Sequence, residues 1–166
     1  FPNKAEIVVA VSKAHFEEER RISDEILESS ENAVHELIMA LRQMEATFRN
    51  ISPKLIYEVQ KYYPDAWRLF EEFKMNYVLP LVQDNLVKGI AEGYYRKEIH
   101  PEIVARMRVN QFEMGFQQDI FPIKDFKPSE IQVEFFHMYM FGLVTQKGRE
   151  LLDKYLKPTI SAIKPI

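Results

Sequence analysis

Apolar residues recur along this chain at steps of three, four and seven, the spacing that gathers side chains on one face of a helix. Val8, Val11, His15, Ile22 and Ile26 form the first row, with the charged run 17–21 on the opposite face. Ser29 and Ser30 interrupt it. The pattern then resumes in Val34, Leu37, Ile38, Leu41, Met44 and Phe48. Later helix starts are marked by proline, in Ser52-Pro53, Tyr63-Pro64-Asp65 and His100-Pro101-Glu102. Proline's missing N–H costs nothing in a first helical turn, and an acid there suits the helix dipole. Lys127-Pro128-Ser129 precedes Gln132 at the spacing of a capping box. The spacing predicts helices near 4–27, 31–48, 53–62, 65–95, 101–119, 129–146 and 148–156. No segment alternates with period two for long enough to make a strand. The expected fold class is all-α.

Two segments call for a tertiary explanation. The helix over 65–95 would be about 46 Å long at 1.5 Å per residue, and Pro80 within it should kink it. The helix over 129–146 is apolar all round and must be covered on every side. The helix before it carries two apolar faces, Ile103/Met107/Met114 and Ala105/Val109/Phe112/Phe116. Together they hold more apolar surface than one core needs. The expectation is a C2 dimer in which two helices per subunit form a four-helix bundle. Val109, Phe112, Phe116, Phe136, Tyr139, Met140 and Leu143 are the expected interface; a monomer with a thick core is the competing reading. Gly89 and Gly93, four apart, point to close approach of another helix backbone.

A length of 166 residues is one domain's worth, with 46% apolar and 28% charged residues. Twelve Phe, eight Tyr and seven Met read first as a large core; the sharper reading is a surplus that lines a ligand cavity or a subunit interface. The 22 basic against 25 acidic residues, net −3, argue against a dedicated nucleic-acid surface. The absence of cysteine excludes a disulfide framework, Cys-ligated metal and thiol catalysis. Five glycines include no phosphate-binding loop. The most apolar run, Phe135–Val144, is half the roughly 20 residues a membrane helix needs, and Ile7–Val11 is too short for a signal peptide. A soluble, cytoplasmic protein is expected.

Candidate chemistry is sparse. Glu134-x-x-His137 has the spacing used in carboxylate-bridged di-iron bundles, but its necessary second copy is missing. His15 has Glu18 and Glu19 on the next turn and reads as a core or pocket histidine. His35 pairs in register with Glu31, and His100 stands at a helix start. No nucleophile–base motif is present. Neither a metal, a cofactor nor a catalytic residue is expected.

Phe1-Pro2-Asn3-Lys4, opening directly onto an amphipathic helix, resembles the end of the recognition-helix segment of TetR-type transcriptional regulators, where a "YxYFPNKxxL" stretch leads into the next helix. The run from Lys88 to Arg96, KGIAEGYYR, followed by His100-Pro101-Glu102, is similar to the "rGiaeGyfR…dp" segment of their regulatory domains. Gly142 through Leu152, GLVTQKGRELL, resembles their usual ending. The resemblance covers the chain in helix order and length, without the family's three-helix DNA-binding domain. It implies that residues 1–4 are the tail of that absent domain and 5–166 an effector-binding and dimerisation domain. Because the chain begins at Phe1, it is expected to be a piece of a longer protein.

The resemblance further implies a homodimer with a small apolar or aromatic effector and operator DNA bound only through the absent domain. Lys4 matches the family lysine that can contact a DNA phosphate. The kinked helix would wall the effector pocket, with His15, Trp67, Phe70, Phe73 and Tyr77 as lining candidates. Two other classes compete: a helical interaction module without a small-molecule ligand, and a metal-dependent helical-bundle enzyme. A sizeable apolar pocket separates the first from the regulator.

Overall fold

The computed structural model describes residues 3–160, with side chains described through 157; Phe1 and Pro2 of the opening motif and residues 161–166 lie outside the described residues. Seven helices follow in order: α1 Lys4–Ser29, α2 Ala33–Asn50, α3 Pro53–Tyr62, a long α4, then α5 Pro101–Met114, α6 Pro128–Leu143 and α7 Gln146–Ile160. Helix α4 runs through Pro64–Phe73, a π-helical stretch Lys74–Val78, and Leu79–Ala91. Among the described residues there is no strand, only an isolated bridge between Tyr95 and Val144.

Side-chain caps set two of the starts. The Asn3 side chain accepts from the Glu6 N–H (3.0 Å), and Asn32 accepts from the His35 N–H (2.9 Å). Prolines open α3, α4, α5 and α6 as the sequence predicts. The capping box expected at Ser129 does not form. Gln132 is instead fully buried, and its Nε2 donates across to the Phe112 carbonyl at the end of α5 (2.8 Å). That bond supplies a partner to one of the orphan carbonyls of a helix end, and α5 stops at Met114 rather than at 119.

Pro80 acts differently from a simple kink. A helical proline leaves the carbonyl four residues back, here that of Asn76, without its N–H partner. The backbone absorbs this as a single widened turn over Lys74–Val78, and every residue around it stays right-handed helical. At its far end α4 stops at Ala91, where Gly93 takes φ +79°, a left-handed conformation glycine adopts without cost. Gly89 and Gly93 therefore do not mark a helix crossing. A Cβ on Gly89 would fall 2.1 Å from the Tyr95 ring, so this glycine makes room for an aromatic side chain, and the backbone approach occurs at Gly148.

Helix α2 is the hub of the molecule. Ala33, Val34, Leu37, Ile38 and Leu41 lie in the core, and α2 packs against α1, α4, α6 and α7. A buried polar network ties its first turn to α4. Asn85 donates to the Ala33 carbonyl (3.1 Å) and to Glu36 (2.9 Å), the Tyr95 hydroxyl reaches Asn85 Oδ1 (2.9 Å), and Glu92 accepts from the Ala33 N–H (2.9 Å). Helix α1 contrasts with this. None of its residues is buried, and it lies along α2 and the first part of α4.

Six of the seven residues expected at a dimer interface are buried within the chain: Val109, Phe116, Phe136, Tyr139, Met140 and Leu143; Phe112 is half-buried. One subunit hides them because α2 and α4 supply the covering surface. The apolar rows left in solvent are others, Ile103 (62% exposed) and Met107 on α5, and Met138 (68%) and Phe141 on α6. No helix among the described residues is long and apolar enough to cross a membrane.

Candidate ligand-binding site

Between α1 and the hub lies a cavity of about 430 Å³, walled by α1 to α6. That volume falls within the roughly 300–1,000 Å³ typical of small-molecule sites. Each wall follows from a helical row. Helix α1 contributes His15, Phe16, Glu19, Ser23 and Ile26; α2 contributes Leu37, Ala40, Gln43, Met44, Thr47 and Phe48. Helix α3 adds Leu55, Ile56 and Val59, and α5 and α6 add Arg108, Val109, Phe112, Phe136 and Tyr139. Leu27 and Leu55 are exposed as well as lining, so they mark the rim.

The wall from α4 shows what the π turn does. Lining positions run through Trp67, Phe70, Phe73 and Lys74, then resume at Val78, Leu81, Val82 and Asn85. The widened turn inserts an extra residue into the register and moves the lining position from 77 to 78. Of the five residues expected to line a pocket, the structure brings together His15, Trp67, Phe70 and Phe73. Tyr77 is turned away from it. Its hydroxyl lies 3.0 Å from the Arg20 carbonyl and 2.8 Å from Asp24, and the Arg20 guanidinium sits 4.7 Å over its ring. Burial and the Asp24 carboxylate push its pKa up to about 12. Tyr77 is a strap between α1 and α4.

Other contacts hold α1 over the cavity. Phe16 stacks on Phe73 (centroids 4.9 Å) and meets Phe70 (6.3 Å). Thr47 donates to Glu19 (3.0 Å), and Gln43 lies 3.3 Å from the same carboxylate. Lys4 is exposed at the start of α1, its ammonium 5.9 Å over the Tyr63 ring.

The charged groups of the wall fall into two kinds. Glu19 is satisfied as just described, and Glu36 holds Asn85 and Lys88 (3.2 Å). Lys74 is buried against Glu113 and lies 3.3 Å from Glu71. Burial works against its charge, but the two carboxylates outweigh it and raise its pKa. Arg108 is the exception: no carboxylate among the described residues lies within ion-pair distance. Its guanidinium stands 4.6 Å over the Phe136 ring, 5.6 Å from that of Tyr139, and 3.7 Å from the Met44 sulfur. Burial pushes its pKa down to about 10. The residue keeps some accessible surface although its charge is desolvated, as befits a side chain on the wall of a cavity. The sequence carries a sign of this. Position 108 falls three after Ala105 and four before Phe112, inside an apolar row where an arginine is out of place.

The histidines do not converge on a metal, and among the described residues no group of three or more potential ligands stands together. His35 accepts from the Glu31 N–H (3.2 Å) and stacks on Tyr155. Comparison of the chain with profiles of known families, with curated proteins and with solved structures gave no match.

Proposed function

We propose that this chain is the effector-binding and dimerisation domain of a TetR-like transcriptional regulator, a binding rather than catalytic protein of the cytoplasm. The observation that carries this reading is the cavity, because an interaction module without a ligand has no use for about 430 Å³ of apolar space. The motifs beginning at Phe1, Lys88 and Gly142 support the family, and the order of seven helices agrees with it.

In this reading α1 connects an N-terminal DNA-reading domain to the regulatory body. Two such readers must sit about 34–36 Å apart to enter successive major grooves. Helix α1 is well placed to transmit occupancy, since it forms one wall of the cavity and buries nothing in the core. A ligand that favours one α1 position over another shifts the spacing; a coupling of about 1–3 kcal/mol changes operator affinity roughly 5–150-fold. Dimerisation would use the exposed rows Ile103/Met107 and Met138/Phe141.

Trp67 is the single tryptophan and lies on the cavity wall, so its fluorescence reports occupancy. Small apolar compounds whose binding calorimetry confirms should change that signal in proportion to saturation. Absence of any binder from a broad screen, or an unchanged signal on confirmed binding, would remove the cavity from the mechanism.

A further inference from the structure

We propose that the ligand of this cavity is an amphipathic anion, with one carboxylate held by Arg108 and an apolar body lying along Phe112, Phe70 and Trp67. The inference rests on the reading of the cavity as a ligand site and names the chemistry of what fills it.

Three features point the same way. Every other charged group on the wall has a partner of opposite charge or a set of hydrogen bonds, whereas the Arg108 guanidinium has none from a carboxylate. Arginine cannot escape burial by giving up its proton near neutral pH, so an unpaired guanidinium in apolar surroundings invites an anion. The planar guanidinium fork matches a carboxylate bidentately. Tyr139 adds a second donor beside it. Its ring is 5.6 Å from the guanidinium, and its hydroxyl has no hydrogen-bond partner among the described residues.

The third feature is the path leading away from this polar end. Phe112 stands one helical turn beyond Arg108, its ring 5.3 Å from that of Phe70, which lies 4.7 Å from Trp67. Helix α3 closes the same space with Ile56 and Val59. A carboxylate on Arg108 therefore sends its chain over an aromatic track that ends at the fluorescent residue. A cationic ligand would meet the guanidinium with like charge, and a purely apolar one would leave it unpaired.

Three probes of one length separate these cases: decanoate, the neutral decanamide and the cationic decylamine, each titrated against the chain below its micelle concentration. Trp67 fluorescence and calorimetry are the readouts. Decanoate is expected to saturate one site per chain, with decanamide about 10–100-fold weaker and decylamine failing to bind. Arg108→Met should abolish the preference of the site for decanoate over decanamide, and Arg108→Lys should keep part of it. Helical circular dichroism confirms that the variants fold, and the wild-type comparison of acid with amide needs no variant. Equal binding of decanoate and decanamide, or full decanoate affinity in Arg108→Met, would overturn the assignment and leave the cavity as a ligand site. Failure of all three probes to bind would overturn the assignment, and the cavity reading falls with it only if the broad screen also yields no binder.

Discussion

Gly148 and Tyr94 meet more closely than any side chain would permit. A Cβ on Gly148 would lie 2.0 Å from the Tyr94 carbonyl oxygen and 2.8 Å from its carbon. That backbone cannot step aside, because the same carbonyl accepts from the Thr145 N–H (2.9 Å) and Arg96 donates to Leu143 (2.8 Å). Gly148→Ala is expected to cost about 3 kcal/mol or more, as an overpacked contact without a flexible neighbour. Urea unfolding measures it; a loss below about 1 kcal/mol would mean the joint is looser than described. Within the sequence only a glycine near the end of a resembling motif was visible. The contact joins residues more than fifty positions apart, and no local pattern encodes that.

A pH dependence also belongs to this scale. Burial raises the pKa of Tyr95 and Tyr139, and burial with Asp24 raises that of Tyr77. Above about pH 10, the ordinary tyrosine value, the native state holds these protons more firmly than the unfolded chain. The native state then binds more protons, so stability falls as pH rises. Lys74, also raised, acts in the same direction as pH climbs through its folded pKa, while Arg108, lowered to about 10, acts oppositely. The urea midpoint should therefore hold up to about pH 10 and drop as pH rises beyond it. Tyr139→Phe should shrink that drop and change little at pH 8, since its hydroxyl has no hydrogen-bond partner among the described residues. An identical alkaline drop in the variant would remove Tyr139 from this account.

At the scale of elements, starts were more legible than ends. Proline at N1 is a local signal, and it located α3, α4, α5 and α6. Ends depend on tertiary partners: α5 stops where Gln132 takes its carbonyl, and α4 stops at the left-handed Gly93. The π turn before Pro80 was not legible either, because a proline can kink, break or widen a helix. It decides that Val78, not Tyr77, faces the cavity. The helical step set Trp67, Phe70 and Phe73 on the α4 wall and His15 faces the cavity from α1, while Arg108 was not among the candidates. Space left between helices should tolerate a larger side chain. Ala40, half-buried on the α2 wall, is expected to accept Leu with a gain of about 0.5–2 kcal/mol. A loss of about 1–3 kcal/mol instead, the usual cost of overpacking, would mean the cavity is closed in solution.

For the whole molecule, the aromatic and methionine content divides into core, cavity wall and exposed rows. Side chains read from sequence as interface belong to the first two, because periodicity identifies a face without saying what covers it. On α5 and α6 the apolar side chains left in solvent are Ile103, Met107, Met138 and Phe141, the rows through which the proposed dimer would form. Met107→Lys combined with Met138→Lys should convert a dimer to a monomer in sedimentation equilibrium with circular dichroism unchanged. A wild-type chain that stays monomeric at high concentration, or a variant that still dimerises, would contradict that assignment.

In the proposed regulator, cavity occupancy is coupled to α1, which like α3 has no buried residue. Hydrogen–deuterium exchange with and without saturating decanoate tests it most directly. Amides of α1 should exchange faster than those of α2 in the free chain and slow markedly on binding, while α7, which does not line the cavity, stays unchanged. Saturation of Trp67 fluorescence with no change in α1 exchange would contradict the account.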